Sequence, residues 1–159
     1  MTRKRCNRKV WPLVDPIKMA MTGAQSVASH EKGSDLQLRN IEALDELRKG
    51  TADADHMGTL SNMVNMTRAL ATKKRKRLGA RFAVQINEAQ ESVLAIGRRA
   101  AERGGRYIAK ASELDAITLI MDMHSQQLDL AGIGTLDKAR KHINRSIASG
   151  HAVTIQEAA

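Results

Sequence analysis

FAVQINEAQESVLAIGRRAAERGG, residues 82 to 105, is the stretch that decides the fold. Phe82, Ile86, Ala89, Val93, Ile96 and Ala100 recur at intervals of four, three, four, three and four, which is the a/d spacing of a heptad repeat. A helix with that period carries one apolar seam, and the seam needs a second apolar surface to bury it. The stretch closes on Gly104 and Gly105. Beyond them Tyr107, Leu114, Ile117, Met121 and Leu128 share a seam that predicts a fourth helix at about 106–130. Two glycines between two long helices predict an antiparallel helical hairpin over about 80–130.

Working outward, Ser34 followed by Gln37 is a capping-box pattern, and Leu38, Ile41, Leu44 and Leu47 follow it at helical intervals. Gly50 stands where a helix ends, so a helix is expected at 35–49. Thr51 is the expected cap of a second helix with Asp53 and Asp55 in its first turn and a stripe of Met57, Leu60, Met63, Val64, Thr67, Leu70 and Ala71. After Gly132 and Gly134, Thr135 is the expected cap of a fifth helix, carrying Leu136, Ala139, Ile143 and Ile147 and stopping at Gly150. The reading is an all-α fold: a bundle of about five helices with a long central antiparallel hairpin and an extended basic N-terminal arm. Its domains are an arm and small-residue linker at 1–33 and a bundle at 34–159.

Composition agrees with this. At 159 residues the chain can bury roughly 70% of its unfolded surface in a single core. Aromatics make up 2% of it, only Trp11, Phe82 and Tyr107, so the core must be aliphatic and β-rich folds are disfavoured. Cys6 is the only cysteine, which excludes an internal disulfide and a cysteine zinc site. No window approaches a membrane span, and the basic N-terminus lacks the apolar stretch of a signal peptide, so a cytoplasmic protein is expected.

The formal charge of +9 directs attention to polyanions and acidic surfaces. The densest run is Lys73, Lys74, Arg75, Lys76 and Arg77, with Arg81 a turn further; five adjacent like charges are stable only in solvent or against phosphates. The same run suits a solvated helix junction. A second set is Arg98, Arg99, Arg103, Arg106 and Lys110, part of which the helix dipole accounts for. A third lies on the last helix: Lys138, Arg140, Lys141, His142 and Arg145. There Arg140 and Asn144, four residues apart, share a face that could meet base edges. Acids are unevenly spread, with Glu42, Asp45, Glu46, Asp53 and Asp55 on the first two helices, so the molecule is expected to be electrically two-sided.

Catalytic patterns are wanting. His30, His56, His124, His142 and His151 are scattered, without the i, i+4 pairing of a helical metal site. Asp53, Asp55 and His56 lie close together at a helix start, where acids are expected for dipole reasons. His124 falls on the apolar seam of the fourth helix and reads as a core or interface polar group. Cys6 has basic neighbours but no histidine in the arm. Neither an enzyme, a metal nor a cofactor is expected.

The arm combines Arg3, Lys4, Arg5, Arg8 and Lys9 with a short apolar plug, Val10 to Val14, that holds Trp11. Charge alone would make a polyanion-binding tail; the plug needs a surface to bury against, on the helices or on a partner. The opening RKRCNRKVWPLVDPI, the small-residue linker behind it and the ending SGHAVTI resemble small uncharacterised proteins of proteobacterial prophages and mobile elements, most specifically over the first 20 residues or so. That resemblance implies a non-enzymatic interaction protein that binds nucleic acid or a host nucleoprotein complex, including an anti-defence inhibitor of the anti-CRISPR type. The alternative is a DNA-binding regulator that reads through the helix at 136–149. The expected contact residues are Arg3, Lys4, Arg5, Arg8, Lys9, Trp11, Lys73, Lys74, Arg75, Lys76, Arg77, Arg81, Arg140, Lys141 and Arg145. The heptad seam favours completion by a second copy, a homodimer.

Overall fold

The structure, a computed structural model, describes residues 31–74 and 82–149, with side chains described at 34–71 and 82–149. Five helices fill these residues: α1 (Glu31–Lys49), α2 (Ala54–Lys74), α3 (Ala83–Glu102), α4 (Ala111–Leu130) and α5 (Ile133–Ala148). The heptad seam is buried as its spacing predicts, from Ile86 through Ala89, Val93 and Ile96 to Ala100. The seam is filled inside the chain, because α3 packs on both α2 and α4. It therefore offers nothing for a second copy to complete.

Gly104 and Gly105 turn the chain with φ of +67° and +88°, a region that costs a residue with a Cβ about 1 kcal/mol or more. The Gly105 N–H donates to the Ala100 carbonyl at 2.8 Å and so closes the end of α3. α4 begins at Ala111 rather than near 106. Tyr107 is buried, but in the non-helical approach to α4 and not on its seam. The start is fixed by Glu113, whose carboxylate accepts the Lys110 N–H at 2.8 Å. The buried seam of α4 is Glu113, Ile117, Ile120, His124 and Leu128, with Leu114 and Met121 only half-buried.

Three other helix starts differ from the sequence expectation. α1 begins at Glu31, so residues 31–33 are helix and not linker, and Ser34 lies inside the first turn instead of capping it. At α2 the cap is Asp53, not Thr51: its carboxylate accepts the His56 N–H at 2.9 Å while the His56 ring accepts the Asp53 N–H. The Thr51 hydroxyl bonds Glu46 instead. For α5 the capping residue is Gly132, and Thr135 donates its N–H to the Gly132 carbonyl from inside the first turn.

α2 is the middle of the molecule, touching α1, α3, α4 and α5. Met57, Leu60, Met63, Val64, Thr67 and Leu70 are buried along it, and each large apolar side chain among them stabilises the fold by about 2 kcal/mol. α1 closes the bundle against α2 and α4. α5 packs mainly on α2, through Ala139 and Ile143 against Met66, Ala69 and Leu70. Its first turn also joins Leu36, Leu128 and Ala131 through Ile133 and Leu136. Among the described residues, no helix is long and apolar enough to cross a membrane.

Candidate polyanion interface

The apolar residues of α5 dictate which of its cations face water. Leu136, Ala139 and Ile143 turn inward, and Lys138, Lys141 and Arg145, spaced at i, i+3 and i+7, fall on the opposite side of the helix, all exposed. Arg140 and Asn144 are exposed on the adjoining strip. Among the described residues, none of these cations makes an ion pair. Other cations behave differently: Arg48 pairs with Asp45 at 3.2 Å and Lys49 with Glu46 at 2.7 Å.

The first half of α5 packs against the last turns of α2, so the basic end of α2, with Lys73 and Lys74 as its final residues, lies at the same end of the molecule as the start of α5. Arg75, Lys76, Arg77 and Arg81 lie outside the described residues, as do Arg3, Lys4, Arg5, Arg8, Lys9 and Trp11.

The set at the α3–α4 turn divides. Arg99 is not a surface cation: its guanidinium grips both oxygens of Glu113, one at 2.8 Å, and donates to the Ile108 carbonyl at 3.0 Å. Burial raises the Glu113 carboxyl, but the Arg99 bond and the Lys110 N–H outweigh it and hold it below the usual range. Arg98, Arg103, Arg106 and Lys110 are exposed. The Asp53 and His56 neighbours are accounted for by the helix cap, and among the described residues no three His, Cys, Asp or Glu side chains gather as a metal would need.

Three features escape a residue-by-residue reading of the sequence. α4 carries Glu113, Asp115, Asp122 and Asp129 and no Lys or Arg, and Asp115, Asp122 and Asp129 are exposed at heptad intervals. α4 and α5 both pack along α2 and meet each other only near their junction, through Leu128, Ile133 and Leu136, so an acidic and a basic helix stand on different flanks of the middle helix. Secondly, a cleft of about 450 Å³ opens between α2, α3 and α5. Arg68 donates to Gln90 within it, and Gln90 donates to Asn65 at 3.1 Å. Its α5 wall is His142, Ile143 and Ser146.

The third is a smaller pocket of about 130 Å³ between α1 and α4, bordered by Ile41, Met121 and Asp122 and reaching buried Asn40 and His124. The Thr67 hydroxyl lies 2.9 Å from the Met63 carbonyl and 3.2 Å from His124 Nδ1, and so ties the ring to α2. His124 Nε2 is buried and, among the described residues, has no protein partner. Burial lowers its pKa to about 4, which keeps the ring neutral near pH 7.

Comparison with protein-family models, with curated proteins and with solved structures found no match to this chain.

Proposed function

We propose that the protein is a non-enzymatic binding protein that engages nucleic acid, or the nucleic acid of a host nucleoprotein complex, through the outer face of α5 and the adjoining basic end of α2. One observation carries the reading. Lys138, Lys141 and Arg145 line one exposed helix face and, among the described residues, are in no ion pair, so their charge is available to an outside partner. Cations held at regular rise along a helix suit a phosphate backbone, and each phosphate neutralised releases counterions. The acidic flank on α4 repels the same backbone and so orients the approach. The resemblance of the N-terminal stretch to prophage proteins supports the fuller form of this reading, interference with a host defence complex.

The test is duplex DNA and RNA binding across a salt series, with the wild type beside a Lys138→Gln, Lys141→Gln, Arg145→Gln triple variant. All three positions are exposed, so the fold is kept. The expected result is steep salt dependence in the wild type and a slope smaller by about 2.7 for duplex DNA in the variant, from roughly 0.9 per phosphate contact. Weak binding by both proteins would overturn the nucleic-acid reading and leave an acidic protein surface as the partner. Arg140 and Asn144, exposed together on one strip, support a sequence-reading version of the same face. In that version, changing both to Ala erases preference among DNA sequences.

A further inference from the structure

The cleft between α2, α3 and α5 exists because α3 and α5 both pack on α2 and leave a gap between themselves. At about 450 Å³ it falls in the range of small-molecule sites, roughly 300–1,000 Å³. Its lining is layered. Val64, Ala69 and Val93 are buried, Asn65 and Gln90 are half-buried, and Arg68, Glu91 and His142 are exposed at the mouth. Leu94 of α3 and Ile143 of α5 add apolar surface on the two side walls, which suits a flat body between them. With no aromatic ring in its lining, the cleft selects a guest by hydrogen bonds and charge rather than by stacking.

The polar groups have a fixed direction. Arg68 can only donate, so the Gln90 atom it meets is the oxygen, and the Gln90 nitrogen then donates to the Asn65 oxygen at 3.1 Å. Both amide oxygens are engaged by this relay, and the α2–α3 corner is left with N–H to give, from the Asn65 amide nitrogen and the second hydrogen of Gln90. A guest must bring acceptors to that corner. On the α3 rim Glu91 is a carboxylate, which accepts only, so the guest must bring donors there. On the α5 rim His142 lies one helical turn from both Lys138 and Arg145, and the cations of that strip call for an anion. A flat body with an acceptor edge, a donor edge beside it and a phosphate is a guanine nucleotide: O6 and N7 accept, while N1–H and the exocyclic amine donate. We propose that the cleft is a guanine-nucleotide site, with the base between Leu94 and Ile143, its O6 and N7 towards Asn65 and Gln90, its amine edge towards Glu91 and its phosphate at the α5 rim. A free nucleotide and a guanine unstacked from a strand offer the same groups. The site shares Lys138 and Arg145 with the outer face of α5 but does not rest on the polyanion reading.

The test is titration calorimetry of the full chain with guanosine monophosphate, adenosine monophosphate and inorganic phosphate, with no nucleic acid present. The expected result is saturable binding of the guanine nucleotide, with the other two weaker by about tenfold or more. Asn65→Asp is isosteric and keeps the oxygen that Gln90 meets, but it replaces the donor by an acceptor and should weaken the guanine nucleotide by about tenfold or more. Glu91→Gln, at an exposed position where the fold is not at risk, should weaken it similarly and leave the response to inorganic phosphate unchanged. A second arm compares guanine-bearing with guanine-free single strands; a preference for guanine that Asn65→Asp removes, with the free nucleotide silent, puts a base of a strand in the cleft. Adenosine monophosphate or inorganic phosphate binding as well as the guanine nucleotide overturns the proposal, as does binding that both variants leave intact. Silence towards guanine in both arms also overturns it. Weak duplex binding beside intact guanine-nucleotide binding overturns the polyanion reading alone.

Discussion

His124 sits among aliphatic side chains with one ring nitrogen bonded to Thr67 and the other bare, and that asymmetry makes it the residue most sensitive to acid. Its pKa of about 4 lies below the ordinary 6.5, so between those values the unfolded chain takes up a proton that the folded chain refuses. Stability contributed by the neutral ring is complete above pH 6.5 and is lost as pH falls towards 4. Linkage puts the loss at about 2 kcal/mol between pH 7.5 and 5, readable by urea unfolding at the two pH values. His124→Leu, which removes the titrating group and leaves the Thr67 bond to Met63, should flatten that dependence; a slope unchanged by the substitution would mean that another group is responsible. The seam position of His124 was legible from spacing, since it falls seven residues after Ile117 and four before Leu128. Its hydrogen-bond partner was not legible, because Thr67 is 57 residues away on another helix.

At the level of the element, the α3–α4 hairpin is held by a glycine turn and by the Arg99–Glu113 clamp across it. Arg99→Leu keeps the apolar stem but strands a carboxylate that is largely out of water, and about 2 kcal/mol should be lost in urea unfolding. Adding Glu113→Leu should recover much of that loss, whereas a purely additive double variant would show that the two side chains do not act together. This clamp explains both what the sequence revealed of the hairpin and what it concealed. The seam of α3 and the paired glycines announced two helices and a reversal, because period and backbone freedom are local. The start of α4 depended on Glu113 reaching back to Lys110 while held by Arg99, a contact between helices, so Tyr107 was taken for the first seam residue. The same competition moved the other starts: Asp53 with His56 outcompeted Thr51, whose hydroxyl was drawn to Glu46. Ser34 was overridden because α1 continues back to Glu31.

For the described part of the molecule, charge divides between two helices that both pack on α2, acidic α4 and basic α5. Acid was read from α1 and the start of α2; the heptad-spaced Asp115, Asp122 and Asp129 were equally visible in the sequence, but their shared face gains meaning only once α4 and α5 are known to flank α2. The cations of α5 were legible as a group. Their division into an outer face and a cleft wall was not, since it depends on which side α2 covers. The cleft itself joins Asn65, Arg68, Gln90 and His142, residues from three helices that no local pattern relates. α5 has one fully buried residue, Ala139, and beyond its first turn leans on α2, so its opening exposes less apolar surface than that of the other helices. Its amides should exchange with deuterium ahead of those of α1 to α4 under native conditions; exchange of all five helices in one cooperative step would show that α5 is bound into the core.

The central position of α2 also decides where this sequence can drift. Between 54 and 71 only Ala54, Asp55, Asn62 and Arg68 are exposed, so most substitutions along that helix must be accommodated by two or more neighbours at once. α1, α3, α4 and α5 each keep an outward face on which charge can be gained, lost or exchanged at little cost to packing. Relatives of this chain would thus share an almost fixed inner helix beneath freely rewritten exteriors, and could bind quite different partners upon the same skeleton.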